Sequence, residues 1–111
     1  MNLEKINDES KLRFSPRALT DIKSTWEYLS EQNEDIAIKL IKEISQKCKI
    51  LSENPKIGRE RNDLIIGLRL FPFKNYNIFY FQTEFGVEIY RVIHSSRDVI
   101  QIFDDVIDEA T

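Results

Sequence analysis

The sequence predicts an α+β domain in which a small antiparallel β-sheet carries an N-terminal helical hairpin on one face. Apolar residues recur at helical spacing from residue 16 to 51, alternate from 68 to 94, and return to helical spacing from 99 to 107. A chain of 111 residues fits one core and leaves little room for a second. Residues 1–10 are polar and aperiodic and read as a flexible tail, with a single domain over 11–111.

Each element has its own reason. Residues 11–15 (KLRFS) alternate and predict a short strand with Leu12 and Phe14 inward. Ser15-Pro16 reads as a helix start, a hydroxyl N-cap followed by proline at the first helical position. Ala18, Ile22, Trp26 and Leu29 then share one helical face, with Trp26 in the core, and the helix ends near Gln32-Asn33. A second helix opens at Glu34-Asp35, whose charges suit a helix N-terminus. Its inner face is Ala37, Leu40, Ile41, Ile44, Cys48 and Leu51, and Pro55 stops it. Cys48 on that stripe reads as a small core residue, and the tight link makes the two helices an antiparallel pair.

After a connector over 56–67 the period changes from 3.6 to 2. Residues 68–71 predict a strand that meets an edge or bend at Pro72. Residues 75–82, rich in aromatic and β-branched side chains, predict a second strand, and 87–94 its return. Residues 84–86 make the turn between them, with Gly86 free to take positive φ. Val99, Ile102, Phe103, Val106 and Ile107 predict a short closing helix.

Composition excludes several classes of function. Hydrophobic residues at 41% and charged residues at 32% are a globular balance, not a disordered one. No run approaches the ~20 apolar residues of a membrane helix, and MNLEKINDES has no signal-peptide core, so neither membrane nor secretion is expected. A single cysteine forms no internal disulfide, which points to a reducing cytoplasm. Cys48 with the lone His94 cannot close a zinc site, and three glycines supply no phosphate loop, so neither metal nor cofactor is expected. The net charge of −3 is unevenly spread: −1 over 1–55, +3 over 56–97 and −5 over 98–111. Five of the seven cations in the middle block are arginines, suited to an acidic partner.

The segments FSPRALTDIKSTWEYL, LSENPKIGRE, GLRLFPFKNYNIFYF and VEIYRVIHSSRDVIQIF, in that order over about residues 12–103, resemble toxins of the RelE/ParE superfamily. The SPRA–DI–WEYL opening, the NP–IGRE link and the terminal RVIHSSRD are more similar to the ParE-like branch. The resemblance implies a RelE/ParE-like fold and the toxin half of a type II toxin–antitoxin pair. A ParE-like toxin is expected to inhibit growth by binding and poisoning DNA gyrase, with no chemistry of its own. A cognate ParD-like antitoxin would neutralise it in a hetero-oligomer. Two alternatives stand beside this: a RelE-type endoribonuclease cutting mRNA on the ribosome, and a decayed toxin that keeps only antitoxin binding.

The candidate residues follow. Arg59, Arg61, Arg69, Tyr80, Arg91 and Arg97 are candidates for contact with target or antitoxin, and the antitoxin is expected to be acidic or mixed where it crosses Arg59, Arg61 and Arg69. On the nuclease alternative, Arg69, Arg91 and Arg97 would steady phosphorane charge and His94 would move a proton, with Tyr80 the nearest phenol. Plain structural roles compete: Arg69 pairing a carboxylate such as Glu88 across the sheet, Arg91 snorkelling or bonding a helix end, His94 donating a hydrogen bond that caps or fixes a loop. Simple alternation puts Arg91 with Val87, Ile89 and Ile93, and His94 on the opposite face with Tyr90 and Val92, so the two would not converge. The acidic stretch 104–109 reads as a solvated helix end, with mimicry of antitoxin charge as the alternative.

Overall fold

A computed structural model describes residues 11–110, with side chains through Asp104. The expected tail over 1–10 and the acidic side chains after Asp104 lie outside the described residues; Asp104 itself is exposed.

The elements run β1 (Leu12–Phe14), α1 (Pro16–Gln32), α2 (Glu34–Glu53), β2 (Arg59–Glu60), β3 (Leu68–Phe73), β4 (Tyr76–Gln82), β5 (Val87–His94) and α3 (Val99–Ala110). The five strands form one sheet in the order β1-β5-β4-β3-β2. Strands β2 to β5 are antiparallel to their neighbours, whereas β1 lies parallel beside β5 with Leu12 opposite Val87 and Phe14 opposite Ile89. A parallel neighbour needs a long crossover, and the two helices supply part of it.

Ser15 joins β1 to α1 and to the sheet. Its hydroxyl accepts from the Ala18 amide at 3.0 Å as an N-cap and donates to the Tyr90 carbonyl at 2.7 Å, while its amide donates to the Ile89 carbonyl at 2.9 Å. One residue, Asn33, serves both helices: its amide donates to the Leu29 carbonyl at 2.8 Å, and its Oδ1 caps Ile36 at 3.1 Å. The hairpin so formed lays Ala18, Leu40, Ile44, Cys48 and Leu51 on Ile78, Tyr80, Val87, Ile89 and Val92, as the helical spacing predicts. Trp26, expected in the core, is only half-buried.

A second core occupies the other face of the sheet. Leu68, Leu70, Phe79 and Ile93 meet Phe103 of α3, with the Phe79 and Phe103 rings 5.0 Å apart. The closing helix therefore covers the face that the hairpin leaves open.

Four expectations are corrected. The connector contains β2, two residues long, pairing Arg59 with Leu70 and Glu60 with Arg69. β3 continues through Pro72 to Phe73, because β2 ends before that point and no neighbour on that side needs the missing amide. Gly86 does not take positive φ; a Cβ there would collide with the Lys11 carbonyl, so glycine is required by close approach of β1. Positive φ falls instead at Gly67 (87°) and at Lys74 (52°) in the β3–β4 turn.

The fourth correction bears most on function. Phe79 pairs with Arg91 and Tyr80 with Ile89, so Tyr90 is an extra residue and β5 is bulged. Before the bulge Val87 and Ile89 face the helical hairpin; after it Val92 does, and Ile93 faces α3. The bulge inverts the phase of the strand end and moves His94 to the hairpin side.

Candidate functional site

Arg91, at the bulge, is 7% exposed and turns to α1. Its Nε and Nη2 donate to the two Asp21 carboxylate oxygens at 2.8 and 3.0 Å, and the Val92 amide donates to the same carboxylate at 2.9 Å. This bidentate arrangement commits the guanidinium to holding the hairpin on the sheet. Arg91 thus bonds a helix, but through the Asp21 side chain in the second turn of α1 and not at a helix end.

Arg69 and Tyr80 meet on the same sheet face, but far along it, against the chain leaving α2. The Tyr80 hydroxyl donates to the Pro55 carbonyl at 2.7 Å and accepts from the Gly58 amide at 2.8 Å. Arg69 Nη1 donates to the carbonyls of Gly58 at 2.6 Å and Lys56 at 3.2 Å, and its Nη2 lies 3.4 Å from Glu60. Its carboxylate partner is thus Glu60 on β2, not Glu88. Burial raises the Tyr80 hydroxyl above its ordinary pKa, more than the Gly58 bond and Arg69 lower it. Both side chains brace the loop over 55–58. Gly58 allows this, since a Cβ would overlap the Tyr80 ring.

Arg61 is held by Asp63 through two bonds of 2.9 Å, which keep the Asp63 carboxyl below its ordinary pKa. Arg59 is exposed on β2.

His94 and Arg97 lie together at the opposite end of the sheet. His94 Nδ1 accepts from the Ser96 amide at 3.1 Å and lies 2.8 Å from the Ser96 hydroxyl, so the imidazole does fix the loop after β5. With Nδ1 accepting, the neutral ring carries its proton on Nε2. Tyr76 stands edge-on to it, centroids 5.2 Å apart at 85°. Burial raises the Tyr76 hydroxyl pKa, against a hydrogen bond with Thr25 that lowers it. Arg97 is exposed on the same loop, its amide donating to the His94 carbonyl at 3.1 Å.

These residues border a depression of about 380 Å³ between α1 and the sheet end, lined by Asp21, Thr25 and Tyr28 as well as Tyr76, His94 and Arg97. A second, of about 400 Å³, shares Tyr28, Tyr76 and His94 with it and continues past Ile36, Lys39, Glu43 and Lys74. Of the nuclease candidates, the fold brings His94 and Arg97 together, and the bulge puts Arg91 on the same side of the sheet as His94, against the alternation, but pinned to Asp21 at the edge of that depression; Arg69 is held elsewhere. The cleft can offer ionic contact, apolar contact and one imidazole. Among the described residues no three His, Cys, Asp or Glu side chains cluster to hold a metal, and no helix is long and apolar enough to cross a membrane.

Sequence reasoning missed Tyr28, Ile36 and Lys39 as cleft residues, and placed Lys74 only as a more distant cation. A signal existed for the first two: both are apolar but fall off the inner faces of their helices, and they are 65% and 56% exposed.

Comparison with known proteins gives two results. The family model described as "ParE toxin of type II toxin-antitoxin system, parDE" matches residues 12–99. Among solved structures the chain is similar to one titled "Chromosomal ParDE TA system from P. aeruginosa", with TM-score 0.64 and 18% identity over 75% of this chain and 92% of that one. At that identity the likeness is one of fold. No curated protein matches the chain.

Proposed function

We propose that this chain, which belongs to the ParE toxin family of type II toxin–antitoxin systems, stops growth in the cytoplasm by binding DNA gyrase and trapping it on cleaved DNA, with no bond-making chemistry of its own. Its silencing partner is a ParD-like antitoxin, bound in a hetero-oligomer. The observation that carries the reading is the engagement of the chemically capable side chains. Arg91 is spent on Asp21, Arg69 on the carbonyls of Lys56 and Gly58, and Tyr80 on Pro55 and Gly58. A nuclease needs cations and a proton carrier converging on one phosphate. The overall charge of −3 also suits a protein partner better than a phosphate backbone.

RNA cleavage keeps a place as second reading because His94 and Arg97 border one depression with Tyr76. Supercoiling of relaxed plasmid by gyrase, with purified toxin titrated in and antitoxin added back, separates the two. Gyrase poisoning predicts loss of supercoiling with linear DNA accumulating, reversed by antitoxin. Unaffected gyrase, together with cleavage of ribosome-bound mRNA that His94→Ala abolishes, would replace it with the nuclease. Growth arrest on expression without antitoxin rules out a decayed toxin.

A further inference from the structure

The cleft between α1 and the end of the sheet is built for a ligand of mixed character. Its two carboxylates are already neutralised: Asp21 by Arg91, and Glu43 by Lys74 Nζ at 2.9 Å, a bond that holds the Glu43 carboxyl below its ordinary pKa. Lys39 and Arg97 border it, one in each depression; neither makes a side-chain hydrogen bond or close ion pair among the described residues, and Lys39 acts on Glu43 only through its field. Counting Arg91, Lys74, Lys39 and Arg97 against Asp21 and Glu43, the cleft carries +2 in a chain whose total is −3. The same depressions are lined by Tyr28 and Ile36, both exposed, and by Leu40, Tyr76 and His94. At about 380 and 400 Å³ the two depressions are shallow and open to solvent, with room for side chains of a partner segment.

We infer that this cleft seats the toxin's target, and that its occupant is an extended acidic segment of the partner protein carrying an aromatic or branched apolar side chain. This deepens the proposed function and rests on the reading of the chain as a binding poison. The acidic groups would meet Lys39 and Arg97, and the apolar side chain would settle against Tyr28 and Ile36. Nucleic acid fits less well. A phosphodiester chain brings a charge with each nucleotide, and two unpaired cations neutralise few of them. Ile36 and Leu40 reward burial of an aliphatic side chain better than stacking of a base.

Two arms test this, both on the full-length protein. In the first, isotope-labelled toxin is titrated with a synthetic peptide alternating glutamate and phenylalanine, with its lysine-for-glutamate counterpart, and with a uridine oligomer, and amide shifts are followed by NMR. The expected result is saturable shifts around Tyr28, Lys39, His94 and Arg97 from the acidic peptide alone. Equal shifts from the lysine peptide, stronger binding by the oligomer, or shifts confined elsewhere overturn the inference. In the second, gyrase inhibition is compared for wild type, Tyr28→Ala, the Lys39→Glu/Arg97→Glu pair, and Ile66→Ser, which alters an apolar side chain 87% exposed outside the cleft. Unchanged melting temperatures confirm folding. Both cleft variants are expected to need at least tenfold more toxin for half-inhibition, and Ile66→Ser to match wild type. Cleft variants equal to wild type refute the docking site while leaving gyrase as target. A wild type inert toward gyrase refutes the functional reading, and the peptide arm then decides the cleft alone.

Discussion

Asp21→Ala removes one side of the ion pair that fastens α1 to β5. Asp21 and Arg91 side chains are 11% and 8% exposed, and the carboxylate accepts three bonds of 2.8 to 3.0 Å. Alanine leaves a buried guanidinium unpaired and the Val92 amide, displaced from the regular ladder by the bulge, without an acceptor. Breaking a buried pair from one side costs about 3–5 kcal/mol. An unfolding entropy of about 2.1 cal/mol/K per residue gives this 111-residue chain roughly 0.23 kcal/mol/K, so the melting temperature should fall by about 13–21 °C. Thermal and urea unfolding followed by circular dichroism read both quantities. The double variant Asp21→Leu/Arg91→Met provides the control, because exchanging both charges for apolar side chains removes the unpaired ion; it should recover most of the loss. A fall of less than about 4 °C for Asp21→Ala, or a double variant as unstable as the single one, would refute the argument that this pair anchors the hairpin.

Other consequences are smaller. Tyr80→Phe should cost about 1–3 kcal/mol, since the Pro55 carbonyl and the Gly58 amide lose their shared partner at once; urea midpoints measure it, and faster amide exchange over 55–58 should accompany it. Gly86→Ala should loosen β1 from β5, seen as faster exchange at Val87, whose amide donates to the Lys11 carbonyl at 2.9 Å, with α2 protected as before. Burial pushes the Cys48 thiol up to about 12 from an ordinary value near 9. The unfolded chain ionises first as pH rises, so stability should fall between about pH 9 and 12. Urea unfolding at pH 8 and pH 10.5 should show a smaller alkaline loss for Cys48→Ala than for wild type.

The architecture was legible because each element has a period that its burial requires. The hairpin could be read from Ala18 through Leu51, with Ser15, Asn33 and Pro55 marking its ends, and the sheet from the change to alternation at Leu68. What stayed hidden was set by partners distant in sequence. Nothing near Tyr90 announces a bulge, since an inserted residue in an apolar strand leaves the composition unchanged, yet it decides which face His94 takes. Gly86 sits in a turn where positive φ is the natural reading, but the constraint comes from Lys11, 75 residues earlier. Arg69, Tyr80 and Arg91 drew notice because their side chains suit chemistry or recognition, and only the fold shows the carbonyls and carboxylate that engage them. Tyr28 and Ile36 were passed over for the opposite reason: an apolar residue off its helix's inner face looks like ordinary surface until the β3–β4 turn is brought beside it.

The central claim is that this toxin acts by occupancy and not by turnover. The most direct test fixes gyrase and DNA concentrations, varies the toxin, and follows cleaved DNA over time. An occupancy poison predicts a plateau set by the ratio of toxin to gyrase, reached once binding equilibrates and reversed by adding antitoxin. Damage that keeps growing with time at a small fraction of the gyrase concentration, and that antitoxin halts but does not reverse, would contradict the account and identify the protein as a catalyst.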